Sequence, residues 1–411
     1  MAQLTRKSGG FFAESDRSIM IGQIQIPNVK DSSRTISILE ANKPDLLQRA
    51  DRIHPKLKER GGGICEMSFR HLVYDEPNEP KQNIVVIHFT LDCVDAMGAN
   101  MVNTIAEDLS PYIEQIVGQP TTLRILSNYA TERCSRAWCS IPIELLSKKN
   151  TSQTENAHTR SIKGLRVAKG IVEAYRLAYC DPWRAATHNK GVMNGIDAVV
   201  LATGNDWRAI EAGAHAWASR TGQYRSLTKW FLSNKKFITW EGLQEARSIN
   251  TDEEIERPID ESSCYLIGCI EVPLQIGTVG GCIKNHPQVS NNLKILGNPT
   301  AIQLSNYIAM VGLAQNLGAL RALVTDGIQK GHMKMHARNL AFQVGAQNEE
   351  ITQVVTQLSS EHVFTIDRAR EVLADFRQGA SNVKINSEQD PLELNINEKK
   401  ERENTKQRPA K

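Results

Sequence analysis

The stretch SIMIGQIQIPNV at residues 18–29 alternates apolar and polar side chains. This alternation predicts a half-buried β-strand, because successive strand residues point to opposite faces of a sheet. Residues 41–53, ANKPDLLQRADRI, follow it with apolar residues at helical spacing. We expect Asn42 to cap this helix and Pro44 to lie in its first turn.

Further strands and a helix continue this pattern along the chain. Strand-like runs at 64–73 and 83–91 are joined by the turn-rich YDEPNEPKQ. A helix is expected from about residue 95 to 117, and TTLRILSNY at 121–129 reads as a fourth strand. The order β-α-β-β-α-β is that of the ferredoxin-like arrangement. The sequence therefore predicts an α+β fold in which residues 14–145 form a small ferredoxin-like domain.

A larger α+β domain is predicted over residues 146–330. Helical patterns cover 155–180 and 301–324, and DAVVLATG at 197–204 has the β-branched run of a buried strand. Small residues after position 206 favour a closely packed helix. The segment 232–263 is polar, and we expect it to be a surface insertion.

The two ends of the chain differ from these domains in pattern. Residues 1–13 are expected to be the remnant of a longer N-terminal region. Residues 331–379 contain short helical patterns, the last opening at Asp367, and are predicted to form a C-terminal helical flap. Residues 380–411 are charged, rich in Asn and without aromatic residues, which favours a disordered tail.

Composition restricts the class of protein. The 411 residues include 49 basic and 46 acidic side chains, a near balance that calls for neither nucleic acid nor an anionic membrane. No run approaches the roughly 18 apolar residues that a membrane span needs. The eight cysteines lack the spacing of a zinc site or a disulfide framework. We expect a cytoplasmic protein without a metal site.

Several polar clusters carry candidate chemistry. DAMGANMVNT at 95–104 opens a helix whose free N–H groups would favour a phosphate, although Asp95 could simply cap that helix. RAATHNKGVMNGID at 184–197 reads as a functional loop rich in hydrogen-bonding groups. Lys190 within it could equally be a solvated surface lysine.

Asp206 and His332 are further candidates. Asp206 begins a helix in ATGNDWRA, and a carboxylate beside a buried lysine would keep that lysine protonated and able to stabilise an oxyanion. The sequence leaves open whether Lys190 and Asp206 meet. His332 and His336 are spaced as helical neighbours, but without the further ligands of a zinc site a general acid is favoured over a metal ligand. No GxGxxG motif supports a Rossmann domain.

Taken together, these motifs resemble the ordered motif set of class II 3-hydroxy-3-methylglutaryl-CoA (HMG-CoA) reductases. The similarity runs from about residue 8 to 378, interrupted at 232–263. It rests on DAMGANMVNT, RILSNYA, the run from DPWRAATHNKG to GQYRSLT, GTVGG, GLAQNLGALRAL and GHMKMHARN. The resemblance implies a non-Rossmann cofactor domain, reduction of HMG-CoA to mevalonate and CoA by two hydride transfers or the reverse reaction, and a homodimer or assembly of dimers with the active site at the interface.

The resemblance also implies roles for individual residues. Lys190 would polarise the thioester and then the aldehyde carbonyl, Asp206 would orient and charge-couple it, and His332 would protonate the departing CoA thiolate. Arg184 and Asn194 match positions that bind the substrate.

The cofactor side is matched at Asp95, Met97, Asn100 and Asn128. His54 stands where NAD-preferring members carry an acidic residue, and it is flanked by Arg52 and Lys56. Because a neutral or basic site suits a 2′-phosphate, NADPH is favoured over NADH.

One departure from the family pattern concerns the start of the chain. The family carries an ENVIG-like motif with a catalytic glutamate, which no residue here matches, so we expect a truncated reductase with little or no turnover. One alternative is a catalytically impaired relative that binds CoA or nucleotide as an assembly partner. Another is an RNA-binding ferredoxin-like module, which the few aromatic residues of the strands disfavour.

Overall fold

The computed structural model describes residues 1–147, 157–248, 264–281, 283, 285–325 and 327–387. The chain divides into the units Met1–Val324 and Thr325–Lys411.

The small sheet contains the four strands that the sequence predicted first. They lie in the order β3-β4-β2-β5, and every neighbouring pair is antiparallel. Two long helices and one short helix connect these strands, so the predicted β-α-β-β-α-β order is present. The elements are β2 (Ile19–Ile26), α2 (Ser32–Ile53), α3 (Pro55–Glu59), β3 (Gly63–Tyr74), β4 (Gln82–Asp92), α4 (Ala99–Val117) and β5 (Arg124–Ser127).

Helix α2 begins earlier than its apolar spacing indicated. Asp31 caps it by accepting a hydrogen bond from the Arg34 backbone N–H at 2.9 Å. Asn42 is therefore not the cap, and its amide donates instead to the Ile38 carbonyl within the helix. Pro44 is internal. The helix continues through it because buried residues on both sides, Leu39 among them, hold the helix against the sheet.

The large sheet joins strands from distant parts of the chain, in the order β1-β6-β8-β7. Strand β6 pairs with β1 and β8, so the predicted boundary at residue 145 places it in the wrong sheet. Long-range pairing decides this, and alternation along one strand cannot reveal it. The chain passes between the sheets at residues 16–18 and 128–133. The elements are α1 (Ala2–Arg6), β1 (Phe12–Ser15), β6 (Cys134–Pro142), β7 (Thr228–Ser233) and β8 (Tyr265–Pro273).

Each sheet contains a glycine covered by an aromatic ring on the neighbouring strand. Gly22 lies opposite Phe89 in the small sheet, and Gly268 lies opposite Trp230 in the large one. A Cβ atom at either glycine would come within 2.2 Å of the ring. Both rings are fully buried, so only glycine fits at these positions.

Helices pack on the large sheet, and one of them occupies residues that were predicted to form a loop and a strand. Residues 184–197 form no loop and 197–204 no strand, because α6 runs continuously from Pro182 to Ala202. Asp181 caps it, and Gly195 lets it approach the long helix Ala301–Val324 closely, since a Cβ there would meet the Val311 carbonyl at 3.0 Å. The helices are α5 (Ala157–Cys180), α6, α7 (Trp207–Ala218), α8 (Trp240–Ser248), α9 (Pro287–Ile295) and α10 (Ala301–Val324).

Helix α10 is long and apolar enough, by length and composition alone, to cross a membrane. Leu304, Ile308, Leu313 and Leu317 on it are fully buried in the core of the large sheet. That packing accounts for part of its apolar composition, since Ile302, Val311 and Leu323 remain exposed.

The segment 232–263 is not wholly a polar surface insertion. Its first part completes β7 and forms α8, and Trp240 and Leu243 are buried against Trp138 and Ile267. Two aromatic rings, Trp138 and Trp240, are tilted with centroids 5.7 Å apart. Residues 249–263 lie outside the described part of the chain.

The second unit consists of helices with a small core of their own. They are α11 (Ile328–Gln343), α12 (Glu349–Glu361) and α13 (Ile366–Ser387). Buried Ala337, Val354, Leu358 and Ala369 hold them together. Helix α13 opens within a residue of the predicted start at Asp367 but continues through 380–387, which the sequence assigned to the tail. Residues 388–411 lie outside the described residues.

Candidate functional site

A cleft of about 460 Å³ lies between the α2–α3 turn and the loop that leads from β4 to α4. His54 and Asp95, two of the predicted cofactor residues, both line it, and Lys56 and Arg60 contribute positive charge. A ring nitrogen of His54 lies 3.2 Å from the Met101 carbonyl. The fold thus brings together residues that are far apart in the chain.

Asp95 caps a helix, but not the one that follows it. Its carboxylate accepts a hydrogen bond from the Ala301 N–H at 2.8 Å, at the start of α10. Its carbonyl accepts from the Thr278 N–H at 2.9 Å. The N-cap of α4 is Gly98, with a φ of 103° that favours glycine. A Cβ at Gly98 would also meet the Cys93 sulfur at 2.3 Å.

The other predicted cofactor residues are not among the residues that line the cleft. Met97 accepts a hydrogen bond from Arg133 through its carbonyl. Asn100 is exposed on the first turn of α4. Asn128 is exposed too, and its carbonyl accepts from Gln275. Sequence position alone could not distinguish these from His54 and Asp95.

Arg184, Lys190 and Asn194 are all carried by α6. Lys190 and Asn194 are exposed and one helical turn apart, so they share a face. Arg184 is half-buried, and burial lowers its pKa. Within the part of the chain that the structure describes, the Lys190 ammonium forms no hydrogen bond or ion pair. We call Lys190, Asn194 and the exposed residues around them the Lys190 face.

Buried polar residues anchor the helix behind this face. A ring nitrogen of His188 lies 2.7 Å from the Thr228 hydroxyl, and Asn189 accepts from the Leu227 N–H at 2.9 Å. Burial, reinforced by the Arg184 charge, lowers the pKa of His188 to about 3, so this imidazole is neutral at ordinary pH. Because His188 and Asn189 point inward, Lys190 must point outward.

Asp206 does not meet Lys190 within one chain. It caps α7 by accepting from the Arg208 and Ala209 N–H groups and forms its ion pair with Arg208 at 3.2 Å. Burial alone would raise its pKa, but the hydrogen bonds from Arg208 and Ala209 outweigh it and the pKa is lowered. Helix α6 ends at Ala202, so about 18 Å of helix, at about 1.5 Å per residue, separates Lys190 from the turn before Asp206.

His332 lies in α11 of the second unit, and its side chain lies outside what the structure describes. The helix covers both positions, so His332 and His336 have the helical spacing that was predicted. Among the described residues, no group of three or more His, Cys, Asp or Glu side chains could hold a metal ion.

Comparison with known proteins gives a consistent result. The family model described as hydroxymethylglutaryl-coenzyme A reductase matches residues 1–337. The 3-hydroxy-3-methylglutaryl-coenzyme A reductase of Archaeoglobus fulgidus is 38% identical over 376 residues, which cover 92% of this chain and 75% of that protein. The chain belongs to the HMG-CoA reductase family. It is accordingly an oxidoreductase that uses a nicotinamide cofactor.

Solved structures place this HMG-CoA reductase in the bacterial-type class II. The class II enzyme of Streptococcus pneumoniae, whose structure was solved bound to NADPH, matches with a TM-score of 0.65 and 36% identity, covering 91% of this chain and 80% of that one. A probable HMG-CoA reductase of Borreliella burgdorferi is 31% identical over 87% of this chain and 72% of its own length. The alternative of an impaired assembly partner is not favoured by these matches.

Sequence patterns did not reveal two features of this chain. Asp197 lies seven positions after Lys190, on the same side of α6, and burial together with the Glu211 carboxylate raises its pKa to about 7. The helical spacing could have revealed it, had α6 been recognised as a helix. The second feature is the burial of Arg133 and Gln275, for which the sequence offers no local signal.

Proposed function

We propose that this chain reduces HMG-CoA to mevalonate and CoA, with Lys190 as the group that stabilises the developing oxyanion. The observation that carries the proposal is the Lys190 face, where an ammonium is presented one turn from Asn194 on a helix anchored by buried His188 and Asn189. A fixed cation aimed at a carbonyl oxygen lowers the barrier because it needs no reorganisation during the reaction.

The cleft at His54 and Asp95 fits a dinucleotide. Its rim carries Lys56 and Arg60, and the adjacent N-terminus of α4 offers free N–H groups to a phosphate. When bound, the cofactor supplies the hydride. We propose that NADPH is preferred to NADH, because the cationic side chains beside His54 would pair with a 2′-phosphate. Met97, Asn100 and Asn128 would contact the cofactor from beside the cleft.

The remaining assignments rest on the family resemblance. Arg184 and Asn194 would bind the substrate, and His332 would protonate the CoA thiolate. Asp206 would influence the charge of Lys190, although in one chain its carboxylate is bonded to Arg208.

We also propose that a second copy covers the Lys190 face in a homodimer. Trp183 and Leu201 lie near the two ends of α6 with 84% and 56% of their surface exposed. Large apolar side chains on such a face are typical of an interaction surface.

A cytoplasmic location is proposed from the cysteines, since the seven described ones are free thiols.

A direct assay tests the function. The purified chain is mixed with HMG-CoA and NADPH, and cofactor absorbance and released CoA thiol are followed together. We expect two NADPH oxidised per thiol released, slower turnover with NADH, and a low rate with either cofactor, because no residue of this sequence matches the glutamate of the family's ENVIG-like motif. Oxidation without HMG-CoA, or no oxidation by a folded chain that binds both ligands, would contradict the proposal.

A further inference from the structure

Two buried polar side chains lie where the chain passes from the small sheet to the large one. Arg133 is 3% exposed, and its guanidinium donates to the carbonyls of Met97 at 3.1 Å, of Ala96 at 3.3 Å, and of Ile276. All three acceptors are backbone carbonyls. Burial lowers the pKa of Arg133 to about 10, which still leaves the group charged at neutral pH.

Gln275 makes the reciprocal connection. It is 1% exposed, and its amide nitrogen donates to the Asn128 carbonyl at 3.1 Å and to the Ala209 carbonyl at 2.7 Å. Arg133 thus reaches from the 128–133 crossing to the loop after β8, while Gln275 reaches from that loop back to the crossing. We call the two side chains and their five carbonyl partners the inter-sheet joint.

Neighbouring bonds tie the joint to both halves of the site. The Gly277 N–H donates to the Asn205 side chain at 2.8 Å, next to Asp206 at the start of α7. The Ala96 and Val279 backbones form a bridge beside the cofactor cleft. A Cβ at Gly277 would lie 2.5 Å from the Met97 nitrogen, so the two loops are in close contact.

Burying the polar groups of the joint lowers the free energy of unfolding relative to apolar packing in the same place. Among the described residues the guanidinium forms no salt bridge, although the Asp92 and Asp95 carboxylates act to raise its pKa. Burying it therefore costs hydration energy that an apolar side chain in the same place would not lose. Directional bonds to carbonyls, however, fix distance and angle in a way that apolar contact does not. The pair of Arg176 with Glu173 on α5 shows the contrast, because its side chains are 66% and 67% exposed and such a surface salt bridge contributes little.

We propose that Arg133 and Gln275 are positioning residues. They hold the small sheet, which carries the proposed cofactor cleft, at a fixed place relative to the reacting groups carried by the large sheet and its helices. This inference rests on the proposed function. Hydride transfer depends steeply on the separation of donor and acceptor, and a misplacement of about 1 Å can lower the rate about 100-fold. The joint would act on turnover and leave the binding of each ligand largely unchanged.

The kinetic test compares Arg133→Lys, Arg133→Met and Gln275→Met with the control Arg176→Met, which removes an exposed arginine from α5. We expect kcat to fall about 10-fold to 100-fold in Arg133→Met and Gln275→Met. KM for HMG-CoA and for NADPH should stay within about 3-fold. Arg133→Lys should recover part of the loss because it keeps the charge. A kcat within about 2-fold of the parent in folded variants, or an effect on KM alone, would overturn the proposal.

Hydrogen exchange tests the joint without relying on activity. The Ala96 N–H is bonded to the Cys93 carbonyl at 3.0 Å, and Gln275 forms no hydrogen bond to that loop. If the joint acts as one unit, Gln275→Met accelerates exchange at Ala96 as well as near Asn128, whereas Arg176→Met does not. Changes confined to Asn128 and Ala209 would refute it. If the parent chain oxidises no NADPH with HMG-CoA, the proposed function fails, and exchange still decides whether the joint couples the sheets.

Discussion

The cofactor cleft and the Lys190 face are built in opposite ways. The cleft is enclosed by residues far apart in the chain, among them His54, Asp95 and Val279, which only the complete fold brings together. The Lys190 face comes from one helix, whose periodicity lines up Lys190 and Asn194 but encloses nothing. The difference teaches that one chain encloses the proposed cofactor side by itself, whereas it leaves the proposed substrate side open.

The largest expected effect concerns the open face. Lys190→Met removes the cation without disturbing the buried anchors His188 and Asn189, so folding should be preserved. We expect kcat to fall by about 100-fold or more, as for the loss of an oxyanion-stabilising donor. Steady-state assay with circular dichroism as a folding check measures this. Lys169→Met on α5 serves as a control, and equal losses in both variants would remove Lys190 from the site.

The next effect concerns the enclosed cleft. The double variant Lys56→Gln and Arg60→Gln removes the positive charge at its rim, and KM for NADPH should rise about 10-fold, as for lost bonds to a charged group. KM for NADH should change little. Lys58→Gln is the matched control, because Lys58 pairs with Asp51 and is not among the residues that line the cleft. Equal changes for the two cofactors would refute a 2′-phosphate contact.

A smaller effect distinguishes two roles of Asp206. Asparagine caps helices as well as aspartate, so Asp206→Asn should keep the free energy of unfolding, whereas Asp206→Ala should lose about 1 kcal/mol. Urea unfolding measures both. A stable Asp206→Asn with reduced kcat would place the carboxylate charge in the reaction; full activity would leave Asp206 as a helix cap only.

The smallest effect is a pH dependence on the Lys190 side of α6. The pKa of Asp197 is raised from 3.8 to about 7, so the folded chain binds more protons than the unfolded chain in that window. The free energy of unfolding contributed by this group should therefore fall as pH rises from about 4 to 7. Asp197→Asn should flatten this dependence in urea titrations, whereas Glu173→Gln, at an exposed ion pair on α5, should not. An unchanged slope in Asp197→Asn would contradict the assignment.

Local sequence patterns predicted much of this fold. The strands at 64–73 and 83–91 and the helix at 301–324 are where their periodicity indicated, because apolar spacing records which face is buried. The strand predicted at residues 197–204 is wrong, because a β-branched run is equally compatible with a buried helix. The boundary predicted at residue 145 grouped residues 134–142 with the small domain, although strand β6 pairs with strands elsewhere in the chain.

Some residues of the candidate site could likewise be predicted from the sequence, and others could not. Lys190 and Asn194 were found because their motif is continuous in the sequence. Arg133 and Gln275 were not, because their burial depends on loops that meet only in the folded chain. The distance between Lys190 and Asp206 likewise depends on the length of α6. Because residues 184–197 were predicted to be a loop, this distance could not be predicted.

The glycine and aromatic pairs in the two sheets also constrain how this chain can change over generations. A side chain at Gly22 or Gly268 is tolerated only if Phe89 or Trp230 becomes smaller in the same lineage. A substitution at one position of a pair therefore requires a matching substitution at the other. Among diverging relatives, the two positions of each pair should vary together or not at all.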